Sequence, residues 1–401
     1  MTIPSAYAIV ANSFTGRTLN MAVAGITASS SIGSGIGFLF GGAFYSTSVG
    51  YRGMFYLFAG LAFLASSLSF LLVKKTMASP AKISKLDHCG VFLMLGGALL
   101  LVTGLTEGGE HWDSPKAYVP IIVGVLMLIA FLLWEKRFYN QFNWSRSSEL
   151  LIPKELWMVP NFIPLILVLG MNFGSMFIQV LVNVDIYQYV SHHSAIISAL
   201  QALPGPVSVF VSTFALGATF GKVPPKYAIF VGNIFNVVSG VLLSRQGADT
   251  HSYWRFGFVG LIILGVGTSL TFINTLNTLV VSCPLNLQGL LSGTALTTAQ
   301  MFVAAGSAAL SSIVGSVELV DTVEERHKLL KRYRDVYYLS IALAGLAIIV
   351  TFFVKNLPIT PPAEDANSDV ESGKKAEMVP PSLTEVANHE TEFTSESDTN
   401  H

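Results

Sequence analysis

Ten long apolar stretches with almost no charge inside them dominate this chain. A helix needs about 20 apolar residues to cross the ~30 Å hydrocarbon core of a bilayer. Backbone N–H and C=O groups cannot stay unpaired in lipid, so stretches of this length become transmembrane helices. We therefore predict an all-α, multi-pass membrane protein. The stretches fall at residues 19–45, 53–73, 88–106, 118–134, 160–184, 194–219, 226–244, 255–282, 290–317 and 336–354.

The spacing of these stretches divides the chain into segments. Residues 1–14 are apolar but too short to cross, and we interpret them as part of a transmembrane helix. Residues 15–134 hold four spans, and residues 135–159 form a polar and aromatic linker. Residues 160–357 hold six spans, for which we predict a six-helix bundle. The acidic segment 358–401 follows.

The composition excludes several classes of protein. Only 12% of the residues are charged, against about 25% in a soluble domain. The net charge of −1 indicates no nucleic-acid partner. Cys89 and Cys283 form no metal-binding pattern, and we expect neither a metal nor a cofactor. The last 44 residues hold ten Asp or Glu, which predicts a disordered tail because such a composition buries too little apolar surface to fold.

Lysine and arginine favour cytoplasmic loops and so indicate the orientation. Placing the 74–87 loop inside puts 14 of the 23 basic residues in cytoplasmic segments, and the linker and the tail are then cytoplasmic. The loop 326–334 breaks the rule with five basic residues outside. Because Leu329, Leu330 and Tyr333 accompany them, an interfacial helix is one interpretation of this loop.

Amide side chains recur on one face of three spans. Polar groups are costly in lipid, so they face the bundle interior or a water-filled cavity. Interhelical hydrogen bonding is the simpler interpretation for any single residue. Three such helices together favour a shared polar cavity, and we predict that these amides bind a substrate. They are Asn172, Gln179 and Asn183 in span 160–184, Asn274 and Asn277 in span 255–282, and Gln300 in span 290–317.

A glycine-rich helix carries the most specific motif. Gly33, Gly37 and Gly41 are spaced four apart, and Gly42 follows them. This spacing puts the first three on one helical face and predicts that another backbone packs closely there. After a short loop, Arg52 lies within the run Gly-Tyr-Arg-Gly-Met-Phe-Tyr at residues 50–56.

Together with residues 15–17, these motifs resemble the major facilitator superfamily, and in particular its fourteen-span drug:proton antiporter branch. The glycine helix is similar to the antiporter motif Gly-x8-Gly-x3-Gly-Pro-x2-Gly-Gly of that superfamily. Gly33, Gly37, Gly41 and Gly42 occupy motif positions, whereas Ala24 stands for the first Gly and Phe38 for the Pro.

The resemblance extends over about residues 1–355. Residues 86–90 resemble the start of the first extra span of the fourteen-span branch. Residues 106–120 resemble the loop between its two extra spans in fungal aminotriazole-resistance, boron-efflux and low-affinity ammonium transporters. Residues 288–289 resemble the start of its penultimate span. On this pattern residue 1 falls in the fourth span, so the resemblance implies an N-terminally truncated bundle that lacks three or so spans.

The resemblance implies a secondary transporter that moves a small solute or drug-like compound by alternating access, coupled to protons in the drug:proton branch. Charge inside the spans is nearly absent, and Asp185 lies at the end of its helix, about 140° from Asn172. We interpret Asp185 as an interface residue. A coupling acid would then lie on the absent spans, or transport would be passive.

We expect a monomer, in the plasma membrane rather than the vacuolar membrane, and not an enzyme. A different hypothesis is a truncated, transport-inactive membrane protein or an incomplete gene model.

Overall fold

The computed structural model describes residues 10, 16–72, 87–109, 112–136, 154–217, 223–283, 287–315 and 322–355. The predicted half-helix 1–14 (apart from residue 10), residues 137–153 of the predicted linker and the predicted tail 358–401 lie outside the described residues.

Ten long helices account for most of the described chain. Each predicted apolar stretch corresponds to one of them. The helices are α1 (Gly16–Tyr45), α2 (Tyr51–Leu72), α3 (His88–Gly108), α4 (Pro115–Lys136), α5 (Phe162–Val190), α6 (Ala195–Ala202 and Pro204–Gly217), α7 (Pro225–Leu243), α8 (Tyr253–Val281), α9 (Gln288–Val314) and α10 (Val323–Phe352).

Nine of the described helices, α2 to α10, are long and apolar enough to cross a membrane. Helix α1 has 30 residues, which is long enough, but it is rich in glycine, serine and threonine. These residues lower its mean hydropathy, and α1 is not among the nine. The prediction of an all-α membrane protein is confirmed.

Helix α5 lies at the centre of the helices that follow it. It packs against α8, α9 and α10, and α7 packs against both α8 and α10. One apolar core surrounds the first half of α5, including Leu165 and Leu169, and a second surrounds its last turns, including Ile178 and Ile186. The described helices all belong to one compact unit, Met1–Leu357.

The helices before the linker pack on this group at two places. Helix α1 packs along both segments of α6, and α3 packs against α9. Helices α3 and α4 form a tightly packed pair, because Gly104 allows the backbone at Ala117 to approach: a Cβ at Gly104 would lie 2.7 Å from the Ala117 carbonyl oxygen. Helix α2 contacts α1 and exposes nearly all of its side chains, which suits a helix surrounded by lipid.

Helix α10 begins well before the predicted span 336–354. The sequence 326–334, predicted as a loop or an interfacial helix, continues the last span as one helix. Its first turns are held by packing, since Leu329 and Tyr333 are buried against the bundle. The guanidinium of Arg332 also donates to the Val314 carbonyl oxygen at the end of α9, at 3.0 Å.

The opposite end of α10 is joined to the start of α5 by one asparagine. Asn161 has a positive φ of 62°, a conformation that asparagine tolerates better than most residues. Its amide donates to the Lys355 carbonyl oxygen at 2.8 Å, and its own oxygen accepts from the Lys355 N–H at 2.9 Å. This pair of bonds ties the first and last helices of the six-helix group together.

Candidate functional site

Two of the predicted amides make buried hydrogen bonds from α5 to α7. Asn172 and Gln179 are fully buried on α5. The Asn172 amide donates to Asn233 Oδ1 on α7 at 3.3 Å. Gln179 donates to the Asn236 carbonyl oxygen at 3.3 Å, and its own oxygen accepts from Ser239 at 2.9 Å. These two side chains therefore join helices within the bundle.

The partners on α7 are functional candidates that the sequence analysis missed. Asn233, Asn236 and Ser239 are fully buried and recur every three residues in an otherwise apolar span. That recurrence is comparable to the spacing of the amides on α5, and it could have predicted a polar face on α7 in the same way. Ser175 extends the network to α10 by donating to the Ser340 carbonyl oxygen at 2.9 Å.

Asn183 lies one further turn along α5 and differs from the other two. It is fully buried, and among the described residues neither its amide nitrogen nor its amide oxygen has a hydrogen-bond partner. Nearby, Asp185 is half-buried and interacts electrostatically with Tyr333 and Tyr337 of α10. Both tyrosine hydroxyls are buried without a hydrogen-bond partner in the part of the chain that the structure describes. This end of α5 thus holds several polar groups whose hydrogen bonds are unmade.

The predicted amides on α8 are buried but are not part of that network. The amide of Asn274 donates to the Leu270 carbonyl oxygen of its own helix at 2.8 Å. Asn277 is 3% exposed. It lies eleven residues, or about three turns, after Val266, and so on the same face of α8 as Val266.

The predicted amide on α9 is exposed. Gln300 lies near the middle of its helix, and Thr297, one turn earlier, is exposed as well. An exposed polar face in the middle of a membrane span is costly in lipid, so water or protein is expected to cover it. The structure therefore buries Asn172 and Gln179 on one face of α5, where each bonds to α7, and leaves Gln300 exposed on a separate surface.

A groove of about 790 Å³ runs between α6 and α8. Its walls are almost entirely apolar and aromatic, and two α6 serines on its floor are occupied with other bonds. Ser208 donates to the Ile262 carbonyl oxygen at 2.7 Å, and Ser212 donates to Ser269 at 2.7 Å. Apolar lining with a few polar groups is typical of small-molecule sites of this size. The aromatic end of the groove is formed by Tyr253, Trp254 and Phe258.

The glycine motif lies on α1, and its close contact is with α6. A Cβ at Gly42 would lie 2.8 Å from the Ala195 carbonyl oxygen. A Cβ at Gly33, Gly37 or Gly41 would meet no described atom within 4 Å. The close contact is therefore made by a different face of α1 from the one that the four-residue spacing predicts. The buried face of α1 carries Ala28, Ser31, Gly35 and Gly42.

Arg52, the remaining motif residue, is exposed in the first turn of α2. No ion pair involving Arg52 occurs among the described residues. Its predicted structural role stays a prediction.

Comparison with known families finds a match for the first part of the chain. The family model described as Major Facilitator Superfamily matches residues 1–88, which hold the glycine motif and Arg52.

Comparison with curated proteins finds similarity to transport proteins of fungi. The chain is 23% identical to the aminotriazole resistance protein of Saccharomyces cerevisiae over 354 residues, which are 87% of this chain and 62% of that protein. It is 23% identical to efflux pump terJ of Aspergillus terreus over 365 residues, 88% of this chain and 66% of that pump. Efflux pump dotC of Dothistroma septosporum is 28% identical over 251 residues, 60% of this chain and 41% of that pump. The chain thus spans less than two thirds of the length of each of these relatives.

Proposed function

We propose that this chain belongs to the major facilitator superfamily and acts in a secondary transporter that moves a drug-sized, largely apolar compound across a membrane. Transport would proceed by alternating access, in which helix groups rock around a site near the bilayer midplane. The observation that carries the proposal is the groove between α6 and α8, whose size and apolar lining suit such a compound. Ammonium or borate would find few polar partners there.

The similarity of the chain to efflux pumps supports a transport role. We place substrate in the groove, with Asn277 as the polar group on the same face of α8. The exposed side chain of Gln300 would line the aqueous path on α9. Asn172 and Gln179 would hold α5 and α7 together while other helices move, and Asn274 and Asn183 remain candidates for contact with substrate.

Proton coupling is part of the proposal. Asp185 is the acid that α5 offers, and Tyr333 and Tyr337 lie near it on α10. Acids within membrane spans mark proton relays in pumps and transporters, and the polar groups near Asp185 have unmade hydrogen bonds. We further propose a monomer in the plasma membrane.

The role of the groove as the substrate site is tested by placing a large side chain in it. Val211 lines the groove from α6 and is 58% exposed, so Val211→Trp is expected to block the site. Val241 on α7 is 43% exposed and does not line the groove, so Val241→Trp is the matched control. In liposomes holding the purified protein, we expect saturable uptake of a fluorescent azole to fall roughly tenfold in the first variant, a loss of about 1.4 kcal/mol of site affinity, and to stay within about twofold in the second.

Uptake of borate and ammonium in the same liposomes measures the substrate class, and uptake with and without a pH gradient measures proton coupling. Faster movement of borate than of the azole would refute the apolar substrate. Equal loss in both tryptophan variants would remove the groove as the site.

Thiol labelling distinguishes the exposed polar position, Gln300, from the buried one, Asn172. In a background with Cys89→Ser and Cys283→Ala, a water-soluble maleimide is expected to label Gln300→Cys and to leave Asn172→Cys unlabelled. The reason is that Gln300 is exposed on a polar face, whereas Asn172 is fully buried between helices.

Leu346→Cys on α10 is the lipid-facing control, because Leu346 is 48% exposed in an apolar part of its span. A cysteine in lipid meets little reagent and forms little thiolate, so it should react slowly. Labelling of Asn172→Cys as fast as Gln300→Cys would show that the buried network is open to water.

A further inference from the structure

One continuous stripe of exposed side chains runs along α10 and changes character along its length. Lys331, Arg334 and Tyr338 are followed on the same face by Leu346 and Ile349. Lys331 and Ile349 are 18 residues apart, which is five full turns and therefore the same direction from the helix axis. The stripe thus passes from cationic through aromatic to apolar residues.

The apolar part of this stripe is about as long as one acyl chain. From Tyr338 to Ile349 is eleven residues, about 16 Å of helix, which is close to half of the ~30 Å hydrocarbon core. Tyrosine favours the boundary between hydrocarbon and headgroups, and Tyr338 is 55% exposed there. Arg334 lies four residues, about 6 Å, beyond Tyr338, which is within the headgroup layer.

The two cations are held in position by the packing of the opposite face. Tyr333 is fully buried, and Arg332 donates to the Val314 carbonyl oxygen at 3.0 Å. This part of α10 therefore cannot rotate freely, and Lys331 and Arg334 face outward. Within the described residues neither is in a salt bridge, in contrast to Lys328, which pairs with Glu324 at 2.8 Å. The exposed acid Asp335 follows Arg334 directly in the sequence.

We propose that this stripe of α10 is a binding site for an anionic phospholipid. One acyl chain would lie along Leu346 and Ile349, and the phosphate would accept charge-assisted hydrogen bonds from Arg334 and Lys331. An anionic headgroup fits better than a zwitterionic one, because the ammonium of a zwitterionic headgroup would compete with the two cations for its own phosphate. The proposal does not depend on the transported compound or on the groove between α6 and α8.

The test is lipid binding to the purified protein, measured by native mass spectrometry and by thermal unfolding in detergent. Phosphatidylglycerol is expected to be retained on the protein and to raise its unfolding temperature more than phosphatidylcholine does. Lys331→Gln with Arg334→Gln should weaken retention of phosphatidylglycerol roughly fivefold for each cation removed. Asp335→Asn should strengthen it, because that acid opposes the phosphate.

Arg255→Gln is the control, since Arg255 is an exposed cation elsewhere on the bundle, and it should leave retention unchanged. A second control adds inorganic phosphate without lipid, which should not raise the unfolding temperature. Equal retention of the two lipids, no effect of the double variant, or the same stabilisation by inorganic phosphate would each overturn the assignment.

Discussion

Leucine in place of Gly232 is expected to prevent most of the protein from reaching its folded state. Helices α7 and α8 cross at this point with their backbones almost in contact. A Cβ at Gly232 would lie 2.7 Å from the Gly267 carbonyl oxygen and 3.0 Å from the Thr271 nitrogen. Backbone atoms cannot turn aside as a side chain can, so the helices must separate. Overpacking costs about 1–3 kcal/mol in ordinary cores, and we expect the upper end or more here.

Gly345→Leu is the matched control for this prediction. Gly345 also lies within a span of the same helical group, but no described atom lies within 4 Å of a Cβ placed there. Leucine favours helix by about 1 kcal/mol over glycine, so this variant should be neutral or more stable. Folded yield by size-exclusion chromatography and the thermal unfolding temperature measure both variants. Similar yields for the two would contradict the close crossing of α7 and α8.

Leucine at Gly42 is expected to separate α1 from α6. A Cβ at Gly42 would lie 2.8 Å from the Ala195 carbonyl oxygen and 3.0 Å from the Ile196 Cα. This is the close contact between α1 and the start of α6. Close approach of helices through small residues stabilises membrane bundles by packing rather than by the hydrophobic effect. We therefore expect a lower unfolding temperature and a longer distance between spin labels placed at Ser34 and Val207, which are both exposed.

Gly37→Leu supplies the comparison on the same helix. Gly37 belongs to the same glycine motif, yet its Cβ would meet no described atom within 4 Å. The label distance should then stay at its native value. If Gly37→Leu moved the labels further than Gly42→Leu, the face predicted from the four-residue spacing would be the packing face after all.

The number and position of the helices follow from the sequence alone. A run of apolar residues long enough to cross hydrocarbon has few alternatives to a helix, because its backbone must satisfy its own hydrogen bonds. The predicted stretch 226–244 and the helix Pro225–Leu243 differ by one residue at each end. The polar face of α5 was also evident, since Asn172 and Gln179 are seven residues apart and so share a face.

The extent of α10 was decided by tertiary contacts. Hydropathy places the start of the span at residue 336, where the charged residues end, yet the helix begins at Val323. Burial of Leu329 and Tyr333 against the bundle stabilises these first turns. Local hydropathy depends only on the residues of one segment, so it carries no information about the surface against which that segment packs.

The partners of each face were likewise decided only by the tertiary structure. Periodicity gives the angle between residues on one helix, but not the direction in which the helix is turned toward its neighbours. Gly33, Gly37 and Gly41 share a face by spacing, whereas α1 turns Gly42 toward α6.

The amide of Asn172 meets Asn233 rather than Gln300 for the same reason, because the rotation of α5 is set by how all the surrounding side chains pack.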